Sequence, residues 1–126
     1  MEKRDKLIFL VVDDSKISRK WLIEMIPTKI LEQTIVIEGT NGEEAVALYK
    51  EHQPDIVFLD ITMPIIDGIE ALKQIKAHHN EAIVVMVSAD RQRTTHTQAL
   101  SLGAHSVLAK PVDGNIFRAT LLSLIA

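Results

Sequence analysis

The side chains in this sequence that could do chemistry together are Asp13, Asp14, Asp60, Ser88 and Lys110. They are far apart in the chain, yet each closes or directly follows a short apolar run. Asp13 and Asp14 follow Leu7–Val12, Asp60 closes Asp55–Asp60, Ser88 follows Ala82–Val87, and Lys110 follows Ser106–Ala109. Carboxylates gathered in one cleft repel and raise each other's pKa unless a cation lies among them. Hard oxygen ligands suit Mg²⁺ (or Mn²⁺), held by one or two carboxylates together with phosphate oxygens. A divalent ion and the ammonium of Lys110 would balance the acids. A carboxylate can also act as a nucleophile and accept a phosphoryl group. Such a transfer asks the protein mainly for positioning and charge neutralisation. Ser88 offers a hydroxyl donor, and Lys110 a point charge, for phosphate oxygens.

This chemistry requires a fold that gathers the ends of those runs. Leu7–Val12 is apolar at every position and reads as a central parallel strand. Ser15 should cap a helix through Ile26, with Ile17, Trp21, Leu22 and Met25 on one buried face and Pro27 as the stop. Thr34–Glu38 is a second strand and Gly39–Gly42 a turn. From Asn41 or Gly42 a helix carries Ala45, Val46, Leu48 and Tyr49, and Pro54 closes it. Asp55–Asp60 is the third strand, and Pro64 and Gly68 punctuate the loop after it. Ile69 to about His78 is a helix with Leu72, Ile75 and Lys76 on its amphipathic face. Ala82–Val87 is the fourth strand. Arg91–Leu102 is a helix capped by Gly103 and weakened by Thr94, Thr95 and Thr97, so the residues predict a mobile element. Ser106–Ala109 is the fifth strand and Asp113–Ala126 the last helix. That helix holds Ile116, Phe117, Leu121, Leu122, Leu124 and Ile125, more than one buried stripe needs, which predicts a docking surface for a partner or a second copy.

Regular alternation of strand and helix predicts an α/β fold, a parallel sheet with helices on both faces. All strand C-termini then share one edge, where ligands bind at the topological switch point. At 126 residues the chain is expected to be a single domain, 1–126. A hydrophobic content of 47% supports one core, and a formal net charge of -3 argues against direct nucleic-acid binding. There is no cysteine, which excludes a disulfide framework, a thiolate metal site and a cysteine nucleophile, and fits a cytoplasmic location. The apolar run after the charged start is too short for a signal peptide. No stretch approaches the roughly 20 apolar residues of a membrane span. Lys3, Arg4 and Lys6 read as a solvated tail.

Taken one at a time, these residues have blander uses. Asp13 or Asp14 could simply cap the following helix, as could Ser88. Lys110 alone would be a surface lysine, and Asp67 a turn residue beside Gly68. Capping explains neither the lysine nor the serine within the full set. His78 and His79 are adjacent, so on a helix they would not share a face, and interaction with the helix C-terminus accounts for them. His52, His96 and His105 are isolated and read as structural. Trp21 reads as core or half-buried, and Met63 as packing under its loop.

The motifs Val11-Val12-Asp13-Asp14-Ser15, Leu59-Asp60-Ile61-Thr62-Met63-Pro64-Ile65-Ile66-Asp67-Gly68, Val87-Ser88-Ala89, Gly103-Ala104 and Lys110-Pro111 occur in this order. On them the chain resembles a response regulator receiver domain of two-component signal transduction, from Leu7 to its end. The resemblance implies a flavodoxin-like (βα)5 fold, doubly wound, with strand order 2-1-3-4-5. It implies Asp60 as phosphoacceptor and Mg²⁺ (or Mn²⁺) held by Asp13, Asp14, Asp60 and the backbone carbonyl of Thr62, with Asp14 the direct ligand and Asp13 acting through water. It implies Ser88 as a switch hydroxyl, Lys110 as the phosphate-facing lysine, and a cis bond to Pro111. The phosphate would come from a histidine kinase, a histidine phosphotransfer protein or a small phosphodonor. The output partner would read the face of the fourth helix, fifth strand and last helix. One departure is Val107, where the family often has an aromatic switch residue. The chain would catalyse only its own phosphorylation and dephosphorylation, and it shows no output domain. It could also be a receiver module of a longer transcriptional regulator or hybrid kinase.

Two other classes share parts of this pattern. A dehalogenase-type aspartyl-phosphate phosphatase needs an acid two residues after its nucleophile, where this chain has Thr62. A flavodoxin-like electron carrier needs a phosphate loop after the first strand, where Asp13, Asp14 and Ser15 would repel an FMN phosphate.

Overall fold

The apolar runs become the strands of one sheet, seen in a computed structural model that describes residues 6–125. The strands are β1 Leu7–Val12, β2 Thr34–Gly39, β3 Ile56–Asp60, β4 Val84–Ser88 and β5 Ser106–Ala109. The helices are α1 Lys16–Glu24, α2 Thr28–Leu31, α3 Gly42–His52, α4 Gly68–His78, α5 Arg93–Ser101 and α6 Gly114–Ile125. All strand pairs are parallel, in the order β2-β1-β3-β4-β5. The order reverses between β1 and β3, so the switch point lies where Asp13 and Asp60 emerge.

Successive side chains of a strand point to opposite faces, and the two cores follow that alternation. Leu10, Val12, Val57, Leu59, Val84 and Met86 pack against α3, α4 and α5. Phe9, Val11, Ile56, Phe58, Val85 and Val87 pack against α1 and α6, through Leu22, Phe117 and Leu121. Phe58 joins this second layer, with ring centroids 5.9 Å from Phe9 and 5.3 Å from Phe117. The predicted doubly wound α/β sheet and its strand order are present.

The caps explain most helix starts. Ser15 accepts a hydrogen bond from the Ser18 amide (3.2 Å), Asn41 from Glu44 (2.8 Å) and Asp67 from Glu70 (2.9 Å). Helix α5 has no side-chain cap and buries only Ala99, in keeping with its weak sequence. Gly103 ends that segment with φ of 102°. The Lys110–Pro111 bond is cis, as expected.

Several expectations need correction. The first helix ends at Glu24, and Pro27 leads into the short α2 instead of a loop. Proline is well tolerated at a helix start, where its missing N–H has no partner to lose. Ile17 and Trp21 are not on the buried face; they are 56% and 58% exposed, and Leu22 with Ile26 supplies the packing. An apolar count over-reads such a helix: Leu22 is its buried residue, with Ile23 and, past its end, Met25 and Ile26 packed beside it. Strand β4 starts at Val84 and includes Ser88, and α5 is shorter at both ends than Arg91–Leu102. In α6, Phe117 and Leu121 are buried while Ile116 and Leu122 face outward, as its excess of apolar residues predicted. The expected tail at Lys3 and Arg4, and Ala126 at the last helix, lie outside the described residues.

Candidate functional site

Asp13 is the first residue beyond β1, and its amide donates to the Gly39 carbonyl at the end of β2 (3.1 Å). Asp60 is the last residue of β3, and both carboxylates are buried. Lys110 follows β5, and its amide donates to the Ser88 carbonyl (2.8 Å), which fixes where the side chain starts. Its Nζ reaches across two strand ends to donate to Asp13 Oδ2 (2.8 Å) and Asp60 Oδ2 (3.3 Å). Asp14 is exposed at the mouth. Asp13, Asp14 and Asp60 each offer a carboxylate oxygen within 4.8 Å of the others. The structure therefore brings together Asp13, Asp14, Asp60 and Lys110 as the sequence suggested.

The donor set fits a hard divalent cation: all-oxygen, two groups buried and one open to solvent. Asp13 has the least to spare, since Oδ1 accepts from the Ser15 amide (2.8 Å) and Oδ2 from Lys110. Asp60 Oδ1 accepts only a long 3.4 Å bond from the Thr62 amide. Burial, then the charge of Asp13, pushes the Asp60 carboxyl above its usual range, against the opposing pull of Lys110. Burial alone would lower Lys110, but the hydrogen bond to Asp13 and the charges of Asp60 and Asp13 outweigh it and hold the ammonium above its ordinary value.

Ser88 is buried at the neighbouring strand end, but its hydroxyl is turned to its own loop. Oγ accepts from the Asp90 amide (2.9 Å) and donates to the Asp90 carbonyl (3.3 Å). Asp90 is tied in turn to α5, where Thr95 Oγ1 donates to Asp90 Oδ2 (2.8 Å) and His96 Nε2 lies 2.7 Å from the Asp90 carbonyl. His96 thus has the structural use expected of it. The acceptor loop is tight at its far end. The Gly68 amide donates to the Ile61 carbonyl (2.7 Å), and a β-carbon at Gly68 would overlap the Asp60 carbonyl. Met63 is buried under this loop, as expected.

His78 and His79 both meet Tyr49 of α3, with ring centroids at 6.4 and 6.2 Å, and His79 Nδ1 lies 2.8 Å from the Tyr49 hydroxyl. Sequence reasoning missed this because it kept both on helical geometry, whereas His79 has already left it (φ -150°, ψ 96°). Trp21 needs a second correction, since its exposed ring lines a groove of about 400 Å³ that extends to Ala89, Lys110 and Pro111. Two site residues were also missed. Asp90 gives only a loop acid after Ser88. Arg19 donates from Nη1 to the Asp13 carbonyl (2.7 Å) and from Nε to Glu38 (2.8 Å), a pairing that needs β2 and α1 placed side by side.

With this geometry in view, known proteins align closely. The response regulator receiver domain family matches residues 9–122. The chemotaxis protein CheY of Bacillus subtilis is 41% identical over 106 residues, covering 84% of this chain and 87% of that protein. A protein-glutamate methylesterase/protein-glutamine glutaminase of Syntrophomonas wolfei is 40% identical over 103 residues, covering 81% of this chain but 29% of its own length. A solved CheX–CheY–BeF₃–Mg²⁺ complex from Borrelia burgdorferi superposes with a TM-score of 0.80 at 37% identity, over 94% of this chain and 86% of that one. Among the described residues, no helix is long and apolar enough to cross a membrane.

Proposed function

Since this chain belongs to the response regulator receiver family, we propose that it accepts a phosphoryl group on Asp60 and converts that event into a change of partner binding. The observation that carries this is Lys110 Nζ bonded to both Asp13 and Asp60, with Asp14 beside them. Asp13, Asp14, Asp60 and the Thr62 carbonyl would hold Mg²⁺ (or Mn²⁺). When bound, such a cation neutralises charge on the phosphoryl oxygens. Asp60 Oδ1, the freer oxygen, attacks the phosphorus of a phosphohistidine on a kinase or phosphotransfer protein. The new O–P bond forms as the N–P bond breaks, and the imidazole nitrogen leaves with the electron pair. Lys110 supports the added charge. The chain acts on no other substrate, binds no nucleic acid itself, and works in the cytoplasm.

The response follows from the bonds of Ser88. When its hydroxyl turns to the phosphoryl group, it releases the Asp90 loop, and with it the Thr95 and His96 ties to α5. This hydroxyl route does not require an aromatic at position 107, where Val107 is half-buried. The surface of α5, β5 and α6, with exposed Ile116 and Leu122, is where an output partner or second copy would read the change. A monomer at high concentration with and without a phosphate mimic would count against self-association. Because the methylesterase relative is far longer than its matching part, the same module could also serve within a longer regulator.

The direct test is intact mass after incubation with acetyl phosphate and Mg²⁺. Wild type should gain one phosphoryl group and Asp60→Asn none; wild type that never gains mass, even from its own kinase, would refute the reading. Lys110→Ala should keep some labelling but lose the change in amide exchange across Arg93–Ser101 that a beryllofluoride mimic induces. A full response in that variant would contradict the role given to the lysine.

A further inference from the structure

Asp13 is held by more than its side chain. Its carboxylate is used by Ser15 and Lys110, while its backbone carbonyl accepts from Arg19 Nη1 at 2.7 Å. The same guanidinium donates from Nε to Glu38 Oε1 at 2.8 Å, and the Arg19 side chain is only 11% exposed. Arg19 also lines the small cavity beneath Asp13 and Asp60, together with Ser18, Leu22 and Phe58. A planar guanidinium with donors on two edges can serve a carbonyl and a carboxylate at once, which an ammonium does poorly. Glu38 lies in β2 and Asp13 just beyond β1, so the arginine of α1 joins the two strand ends that frame the acidic turn.

We propose that Arg19, oriented by Glu38, is a positioning pair that shapes the Asp13–Asp14 turn for a divalent cation. The inference rests on the reading of that turn as a cation site given above. Among the described residues, Arg19 bonds to the Asp13 carbonyl and to Glu38 and to none of the three clustered carboxylates. Its effect therefore has a sign that distinguishes positioning from charge. As a charge alone, Arg19 would repel a cation held by the neighbouring turn, and its removal would tighten binding. As a positioning group, its removal loosens the turn and weakens binding.

The experiment is calorimetric titration of Mg²⁺ alone into wild type and Arg19→Met, which keeps most of the apolar stem and loses both hydrogen bonds. We expect affinity to fall about five- to tenfold, the scale of one ordinary hydrogen bond lost. With acetyl phosphate as donor, the half-saturating Mg²⁺ should rise while the labelling rate at saturation stays near wild type. A general loss of structure would not give that split. Glu38→Ala, which removes the acceptor that orients the guanidinium, should weaken Mg²⁺ binding in the same direction, and unchanged binding would take Glu38 out of the pair. Mg²⁺ affinity in Arg19→Met equal to or tighter than wild type overturns the inference. If that variant does not fold, Arg19→Lys decides it in the same way, with weaker binding expected although the charge is kept. Wild type that takes up no Mg²⁺ overturns the parent reading and this inference together, an outcome distinct from a failure confined to the Arg19 variants.

Discussion

At the scale of single residues, the site concentrates negative charge that the fold tolerates at a cost. Asp60 is buried beside Asp13, and its carboxyl is raised for that reason. A carboxyl whose folded pKa lies above its unfolded one binds its proton more tightly in the folded state. Its relative contribution is intact below the unfolded pKa and is lost as pH rises through the folded one. Asp60→Asn removes that loss. In the absence of divalent cations it should be more stable than wild type at neutral pH. The advantage should fade as pH is lowered through the raised Asp60 pKa, where wild type is itself neutral at this position. Urea midpoints at several pH values check this, and a variant no more stable than wild type at pH 7 would contradict it.

At the scale of elements, the loop from Ile61 to Asp67 is held under opposing demands. Gly68 must lack a side chain because the Asp60 carbonyl lies against it, so Gly68→Ala should cost about 2–3 kcal/mol and displace the acceptor. Ile65, at the crest, has φ of 72° and is 71% exposed. A β-branched residue pays for that left-handed backbone, whereas asparagine tolerates it. Ile65→Asn should therefore stabilise the fold by about 1 kcal/mol. Denaturant titration of the two variants should move in opposite directions, and a destabilised Ile65→Asn would argue against stored strain there. Helix α5, with Ala99 its sole buried residue, should exchange its amide protons faster than α3 and α4, which each bury several. Equal protection in native-state exchange would refute its expected mobility.

At the scale of the whole molecule, the acidic edge is a place where ligand binding and stability are linked. A cation that binds only the folded chain stabilises it by mass action, about 2.7 kcal/mol at a hundred times its dissociation constant. Mg²⁺ should raise the unfolding midpoint of wild type with that concentration dependence. Asp14→Asn should lose most of the gain, since Asp14 is the open acid of the cluster. A midpoint indifferent to Mg²⁺ would count against the cation site.

Local physics was enough to read much of this protein from its sequence. Continuous apolar runs ending in Asp13, Asp60 and Ser88 specify buried parallel strands, because only such strands hide both faces. Ser15, Asn41 and Asp67 mark helix starts, because a short polar side chain can satisfy the free amides there. The convergence of Asp13, Asp14, Asp60 and Lys110 was legible for the same reason: parallel strands put their C-terminal ends on one edge. What required the tertiary structure were relations between elements that no spacing encodes. Which side of α1 meets the sheet depends on how that helix lies across β1 and β3, so Trp21 and Ile17 came out exposed. Arg19 meets Glu38 only once α1 and β2 are neighbours, and Tyr49 meets His79 only where α3 packs on α4. The hydroxyl of Ser88 points to Asp90 because hydrogen-bond partners are chosen by three-dimensional proximity, which a one-dimensional pattern does not contain.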